Sequence, residues 1–203
     1  MSSSFKETRL GGFVAGLLVL CAVMIGVGVL LPTGSASTAG YHPLSSPARP
    51  VRLMIPALKI RARILPIEVN DSRVLDPPSD PRQVGWWKRS ARPGATHGQT
   101  VLTGHTVHTG GGVMDKLGKL RKGQLVKVVT RKGLMVYRTT KVVTWSKAEL
   151  AKRSVDLFGQ KRDHQRLVLI TCTGWTGSEY TSNVVAFAEP LGVPDATKKK
   201  QQS

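Results

Sequence analysis

Cysteine, aromatic residues and acids are all scarce in this chain. Only two of its 203 residues are Cys, which excludes a small fold stapled by disulfides. Aromatics make up 5%, and 12 acids face 30 Lys and Arg, for a formal charge of +18. Hydrophobic residues still reach 40%, enough for a packed core, so a wholly disordered chain is excluded. The 21 Gly and 12 Pro fall in short clusters without a G-X-Y period, which excludes collagen. There is no internal repeat and no His or Cys set at metal-ligand spacing. Asp76, Asp80 and Asp115 lack calcium-loop spacing, and Gly110-Gly111-Gly112 lacks the Lys-Ser/Thr of a phosphate cradle. Neither a metal nor a cofactor is expected.

The apolar residues are unevenly spread. Gly11 to Leu31 is a run of 21 residues without a charge, and about 20 apolar residues span a bilayer as a helix. A cleaved signal peptide has an apolar stretch of only about 7–15 residues, and Ser35 to Ala39 make a poor cleavage site. The run therefore reads as an uncleaved anchor. Lys6 and Arg9 precede it, so the N-terminus is expected in the cytoplasm and the rest outside, in a single-pass topology. The expected organisation is a cytoplasmic segment 1–10, an anchor 11–31, a Ser/Gly/Pro-rich linker 32–50, a folded domain 51–191 and a disordered basic tail 192–203.

Beyond Leu31 lie 28 basic residues and 11 acids. A basic domain invites a nucleic-acid reading, but an export segment precedes it and no nucleic-acid motif is visible. No nucleic-acid partner is expected. Anionic headgroups or phosphate-rich wall polymers are the alternative counter-surfaces, and a solvated surface is the third.

From Val51 onward, short β-rich runs alternate with turns. Strands are predicted at 51–55, 62–69, 84–87, 100–103, 125–130, 134–144, 167–171 and 184–188, each bounded by Gly, Pro, Asn or Asp. Arg131-Lys132-Gly133 reads as a tight hairpin. Ser146-Lys147-Ala148-Glu149 matches a capping box and opens a short helix through Lys152. So many short strands predict an all-β closed barrel or sandwich with few helices.

Cys172 is the one thiol of the exported domain, because Cys21 lies within the apolar run. Unpaired thiols are unusual outside the cell, which leaves an intermolecular disulfide, an inert buried residue or a nucleophile. Cys172 ends the strand Arg166 to Thr171 and precedes the turn Thr173-Gly174. A strand end holds a nucleophile firmly while its sulfur faces an open loop. A thiol near pKa 8.5 is only slightly ionised at neutral pH and needs a base or cation nearby. Of five histidines, His42, His97 and His164 sit in polar segments, and His108 lies in a Gly-rich loop. His105 alone ends a strand, Thr100 to Gly104. Two strand ends that meet would join nucleophile and base. Arg166 shares the strand face of Cys172, but six residues at ~3.3 Å each put it out of reach.

Leu102-Thr103-Gly104-His105 and Leu169-Ile170-Thr171-Cys172 resemble the two hallmark strands of sortases, membrane-anchored cysteine transpeptidases of Gram-positive bacteria. The resemblance runs from about Val51 to Pro190. It includes Arg52 to Pro56, Val84-Gly85-Trp86-Trp87 and Asn183 to Pro190, and is nearest the class E/F sortases of actinobacteria. It implies an eight-stranded closed β-barrel. It also implies Cys172 as nucleophile on the Thr–Gly bond of an LPxTG-like signal, His105 as acid and base, and transfer of the thioacyl group to a peptidoglycan-precursor amine. The implied partners are secreted proteins with a C-terminal sorting signal. Thr103, Thr171, Thr173 and Thr181 are candidate substrate or oxyanion residues. The resemblance also calls for an arginine near Ser182-Asn183, where this chain has Thr181. That departure keeps open a non-catalytic or weakly active wall-binding module and a simple anionic-polymer binder. L,D-transpeptidase chemistry is disfavoured, because no Ser-His-Gly-Cys motif is present.

Overall fold

Successive strand residues point to opposite faces, and burial follows that period of two. The computed structural model describes residues 38–72 and 74–196. They form β1 (Tyr41–His42), β2 (Pro50–Ile55), β3 (Ile60–Ile67), β4 (Val84–Trp87) and β5 (Gln99–Gly104). β6 (Leu125–Thr130), β7 (Gly133–Ser146), β8 (Arg166–Trp175) and β9 (Tyr180–Pro194) follow. Two short helices, α1 (Lys147–Lys152) and α2 (Ser154–Phe158), lie between β7 and β8. In β3, Ile60, Ala62 and Ile64 turn inward and Arg61 and Arg63 outward. In β6, Val126, Val128 and Thr130 are the buried set.

β2 to β9 close into an eight-stranded barrel, the architecture the resemblance implied. The order is β9-β7-β6-β2-β3-β4-β5-β8, and β8 pairs back onto β9. β3–β4 and β5–β8 are parallel, and the remaining neighbours are antiparallel. All eight predicted strands are present. β9 is much longer than its apolar stretch, because pairing with both β7 and β8 carries it through Ser182 and Asn183.

β1 falls in the segment read as linker. Tyr41 and His42 pair with Pro194 and Val193 of β9, and Leu44 and Ala48 are buried against the barrel core. A two-residue strand carries no periodicity by which a sequence reveals it. The expected anchor 11–31, Cys21 and the Lys198–Lys200 tail lie outside the described residues. Among the described residues no helix is long and apolar enough to cross a membrane.

Two apolar clusters position the site. The larger includes Leu53, Leu102, Tyr137 and Leu169, together with Met114, Leu117 and Leu120 from the β5–β6 connection. The second lies on the other face of β5, β8 and β9. It joins Val101, Val168, Ile170, Val185 and Phe187 to Leu157 of α2, with Leu75 and Leu150 against it. β5 is thus covered on both faces, and all six of its residues are buried, which explains its continuous apolar run. Trp86 joins the larger cluster and Trp87 the second, where it meets Phe158 edge-on at 6.0 Å. α1 opens as expected: the Ser146 hydroxyl accepts from the Glu149 N–H at 3.2 Å, and the Glu149 carboxylate accepts from the Ser146 N–H at 3.0 Å.

Candidate active site

Cys172 lies two residues beyond Ile170 on β8, so it continues the outer face that Val168 and Ile170 occupy. The helices and the β3–β4 connection shelter that face up to Ile170. Beyond it the cover ends, and Cys172 is exposed, with a free thiol. The sulfur stands at the open end of a buried stripe, but not at the strand end that the sequence suggested: β8 continues past Cys172 to Trp175, because Thr173 and Trp175 still pair with β9.

β5 and β8 pair in parallel with a constant offset of 67, from Gln99↔Arg166 to Thr103↔Ile170. The same offset separates His105 from Cys172. Extended two residues beyond the last of these pairs, the same register would bring the backbone of His105 level with Cys172. Side chains lock the register there. The Thr171 hydroxyl donates to the Gly104 carbonyl at 2.7 Å and lies 2.8 Å from the Thr106 hydroxyl. His105 is half-buried. Its Nε2 lies 2.9 Å from the Pro78 carbonyl, which can only accept, so Nε2 is the donor of that bond and Nδ1 is left free of it.

The four candidate threonines have separate places. Thr171 is buried and ties β8 to the end of β5. Thr103 is buried two residues before His105, and its hydroxyl has no hydrogen-bond partner. Thr173 is half-buried next to Cys172, opposite Ser182. Thr181 donates to the Gly174 carbonyl across the β8–β9 hairpin at 3.1 Å, so it pins the hairpin and supplies no charge. Gly174 has φ +72°, and a Cβ there would lie 2.7 Å from the Thr181 hydroxyl, so the closed hairpin requires glycine. Arg166 is used elsewhere: it pairs with Asp156 at 2.9 Å and lies over the Phe187 ring.

Several residues that act on the site carried no sequence signal. Asn183 stands opposite Cys172, and its amide lies 3.9 Å from the sulfur. Although Cys172 is exposed as a residue, the atoms packed round its sulfur desolvate it and push its pKa up; Lys147 and the Asn183 amide act the other way, and Asp76 adds to the rise. Asp115 holds the loop after His105, accepting from Val107 N–H at 2.8 Å and Gly112 N–H at 3.0 Å. His108, read from the sequence as a bystander, stacks on Trp175 with ring centroids 4.2 Å apart and 4° between planes. Trp175, 39% exposed, also contacts Tyr180 at 5.0 Å. These three rings form an aromatic flank on the loop and hairpin beside the thiol. A contact across 67 residues is invisible without the strand register.

A family model for the sortase domain matches residues 53–191. Among solved structures, sortase C-1 from Actinomyces oris shares 23% identity over 70% of this chain and 74% of its own, with a TM-score of 0.54. Sortase A from Corynebacterium diphtheriae shares 16% identity over 71% of this chain and 61% of its own, with a TM-score of 0.55. Sortase C2 of the group B Streptococcus pilus island 1 shares 18% over 72% and 76%, with a TM-score of 0.53. At these identities the likeness is one of fold. No curated protein matches the sequence. Because the sortase domain covers more than half of the chain and its barrel is the one these structures share, the chain belongs to the sortase family, whose members are cysteine transpeptidases.

Proposed function

We propose that the protein is a membrane-anchored transpeptidase of class E/F type. In this reading residues 11–31 cross the membrane once, with the N-terminus in the cytoplasm and the catalytic domain outside. It cleaves an LPxTG-like signal between Thr and Gly and transfers the secreted protein to a peptidoglycan-precursor amine. The observation that supports the reading is the parallel β5–β8 register with its offset of 67, the same interval that separates His105 from the exposed Cys172.

The chemistry follows from the groups present. Desolvation pushes the Cys172 pKa up, which favours the thiol over the thiolate. On attack, the sulfur–carbon bond forms and the thiol proton passes to Nδ1 of His105, the ring nitrogen free of Pro78. The proton then moves to the Gly nitrogen as the Thr–Gly bond breaks, leaving a thioester. An incoming amine gives its proton to His105, attacks the thioester and releases the sulfur, which recovers a proton. The Thr171 hydroxyl holds β8 to the end of β5.

The test is a panel of LPxTG and LAxTG peptides incubated with the protein and a glycine-based amine, with products read by mass spectrometry. A transfer product that needs Cys172 and His105 supports the reading. Hydrolysis or transfer that survives Cys172→Ala contradicts it. Thr181 in the place of the implied arginine favours the second reading, a barrel that binds the wall without turnover. That reading predicts no product with any peptide and wall binding that is unchanged in Cys172→Ala.

A further inference from the structure

The transpeptidase reading makes no use of the large excess of positive charge. One groove, between the end of α1 and the start of β8, gathers four of the cations. It has a volume of about 740 Å³ and is lined by Lys152, Arg153, Lys161 and Arg162, with Asp156 as the one acid in its lining. That acid is shared. Arg166 Nη2 lies 2.9 Å from the Asp156 carboxylate, and Arg162 Nη1 lies 3.3 Å from the same oxygen. Lys152, Arg153 and Lys161 have no carboxylate partner among the described residues. Glu149, on the same helix as Lys152, is spent on the Ser146 cap. The walls are fixed by buried side chains. Gln99, fully buried, donates to the Asp156 carbonyl at 2.9 Å and the Gly159 carbonyl at 2.7 Å, and accepts from Arg166 Nε at 2.7 Å. Gln160 accepts from the Ala91 and Gln99 N–H groups at 3.0 and 3.1 Å. The groove also holds Val155, at 83% the most exposed large hydrophobic side chain among the described residues. Arg166 and Cys172 lie six residues apart on β8, or ~20 Å, so the groove is at the other end of that strand from the thiol.

We propose that this groove is a binding site for a phosphate ester, held by the Arg162 guanidinium and the Lys152 and Lys161 ammonium groups. A concave site walled by one sign of charge focuses its field and concentrates ions of the opposite sign. Four cations against one shared carboxylate leave more charge than a single carboxylate ligand would balance. A phosphate monoester brings close to two negative charges and three strong acceptor oxygens. The planar fork of an arginine matches two of those oxygens at once, and lysines act as point charges around it. The volume suits a ligand of that size, since small-molecule sites run from about 300 to 1,000 Å³. Two sources carry this chemistry: the headgroup of an anionic membrane lipid, with Val155 entering the interface beside it, and a free phosphate ester. Neither Cys172 nor His105 takes part, so the site stands whether or not the chain is a transpeptidase.

The experiment is a lysine footprint of the full chain in a non-ionic detergent, which carries no phosphate. Acetylation of each lysine is followed by mass spectrometry as phosphatidylglycerol is mixed into the micelles or glycerol phosphate is added to the solution. Succinate, a dianion without phosphate, is the comparison. Lys116 and Lys119, exposed on the β5–β6 connection, are the control lysines. At a ligand concentration ten times Kd, Lys152 and Lys161 should react about tenfold more slowly, with Lys116 and Lys119 unchanged. Arg162→Gln removes a charge-assisted contact and should raise the half-protecting concentration roughly tenfold. Lys161→Gln, at an exposed position without an ion pair, repeats the test with Lys152 as reporter and should also weaken protection. Protection by phosphatidylglycerol alone assigns the phosphate to a lipid headgroup; protection by glycerol phosphate assigns it to a free ester. The proposal is overturned by no protection in either arm, by equal protection of Lys116 and Lys119, by equal protection from succinate, or by protection that survives both substitutions unchanged.

Discussion

Replacing Thr171 and Thr103 by valine, one at a time, should have opposite effects on stability. The two threonines are matched in burial, at 4% and 5% exposed, and lie on neighbouring strands. Valine keeps the shape of threonine, so neither change opens a cavity. The Thr171 hydroxyl makes two contacts, with the Gly104 carbonyl at 2.7 Å and the Thr106 hydroxyl at 2.8 Å. At about 1 kcal/mol net for each hydrogen bond, and with both partners left in place, Thr171→Val should cost about 2 kcal/mol. The Thr103 hydroxyl is buried without a partner. Its removal relieves a desolvated group, so Thr103→Val should be neutral or stabilise by roughly 1 kcal/mol. Urea unfolding followed by tryptophan fluorescence reads both changes. With a slope of about 2 kcal/mol/M, Thr171→Val lowers the midpoint by about 1 M, and Thr103→Val holds or raises it. Equal midpoint shifts in the same direction would refute the hydrogen-bond assignment. Thr171→Val should also slow acylation, since this hydroxyl ties together the strand ends that carry His105 and Cys172.

Three further outcomes follow from the same geometry. Desolvation raises the Cys172 pKa, so the thiolate fraction at any given pH lies below that of an unperturbed thiol. Iodoacetamide should therefore alkylate Cys172 with an apparent pKa above that of free cysteine, and one at or below the free-cysteine value would contradict the assignment. At Gly104 an added Cβ would sit 2.8 Å from Met114 Cγ and 2.9 Å from Val113 Cγ1. Gly104→Ala should cost about 1–3 kcal/mol by overpacking, read as a lower urea midpoint; an unchanged midpoint would show that Met114 moves aside freely. Asp115→Asn keeps only one carboxylate-type acceptor for the Val107 and Gly112 amides. Hydrogen exchange at one of those two amides should accelerate, with the amides of β5 and β8 unchanged.

The eight barrel strands were legible because each is a short β-branched run between turn residues, as at Leu125–Thr130. Their ends were less so: β8 runs on through Cys172 to Trp175 and β9 starts at Tyr180, since pairing carries polar residues that have no pattern of their own. His105 was legible as the residue that follows a strand, and Cys172 as rare chemistry near the end of one. The parallel pairing of β5 and β8 was not, and without it an interval of 67 residues means nothing. The supporting groups depend on the same long-range register. Asn183 reaches the sulfur only because β9 pairs with β8. Lys147 reads in sequence as an ordinary residue of a capping box. The Pro78 carbonyl that orients His105 is a backbone group in a loop, and Asp115 looked like an isolated acid until it was seen clamping the Val107–Gly112 turn.

The central claim is that Cys172 forms a covalent acyl bond with His105 as its proton carrier. It is tested most directly by the intact mass of the protein mixed with a sorting-signal peptide in the absence of any amine. The account predicts a mass increase equal to the peptide fragment ending in Thr, mapped to Cys172, absent in Cys172→Ala and strongly reduced in His105→Ala. An adduct that forms as fast in His105→Ala as in the wild type, or one that maps to another residue, would contradict it.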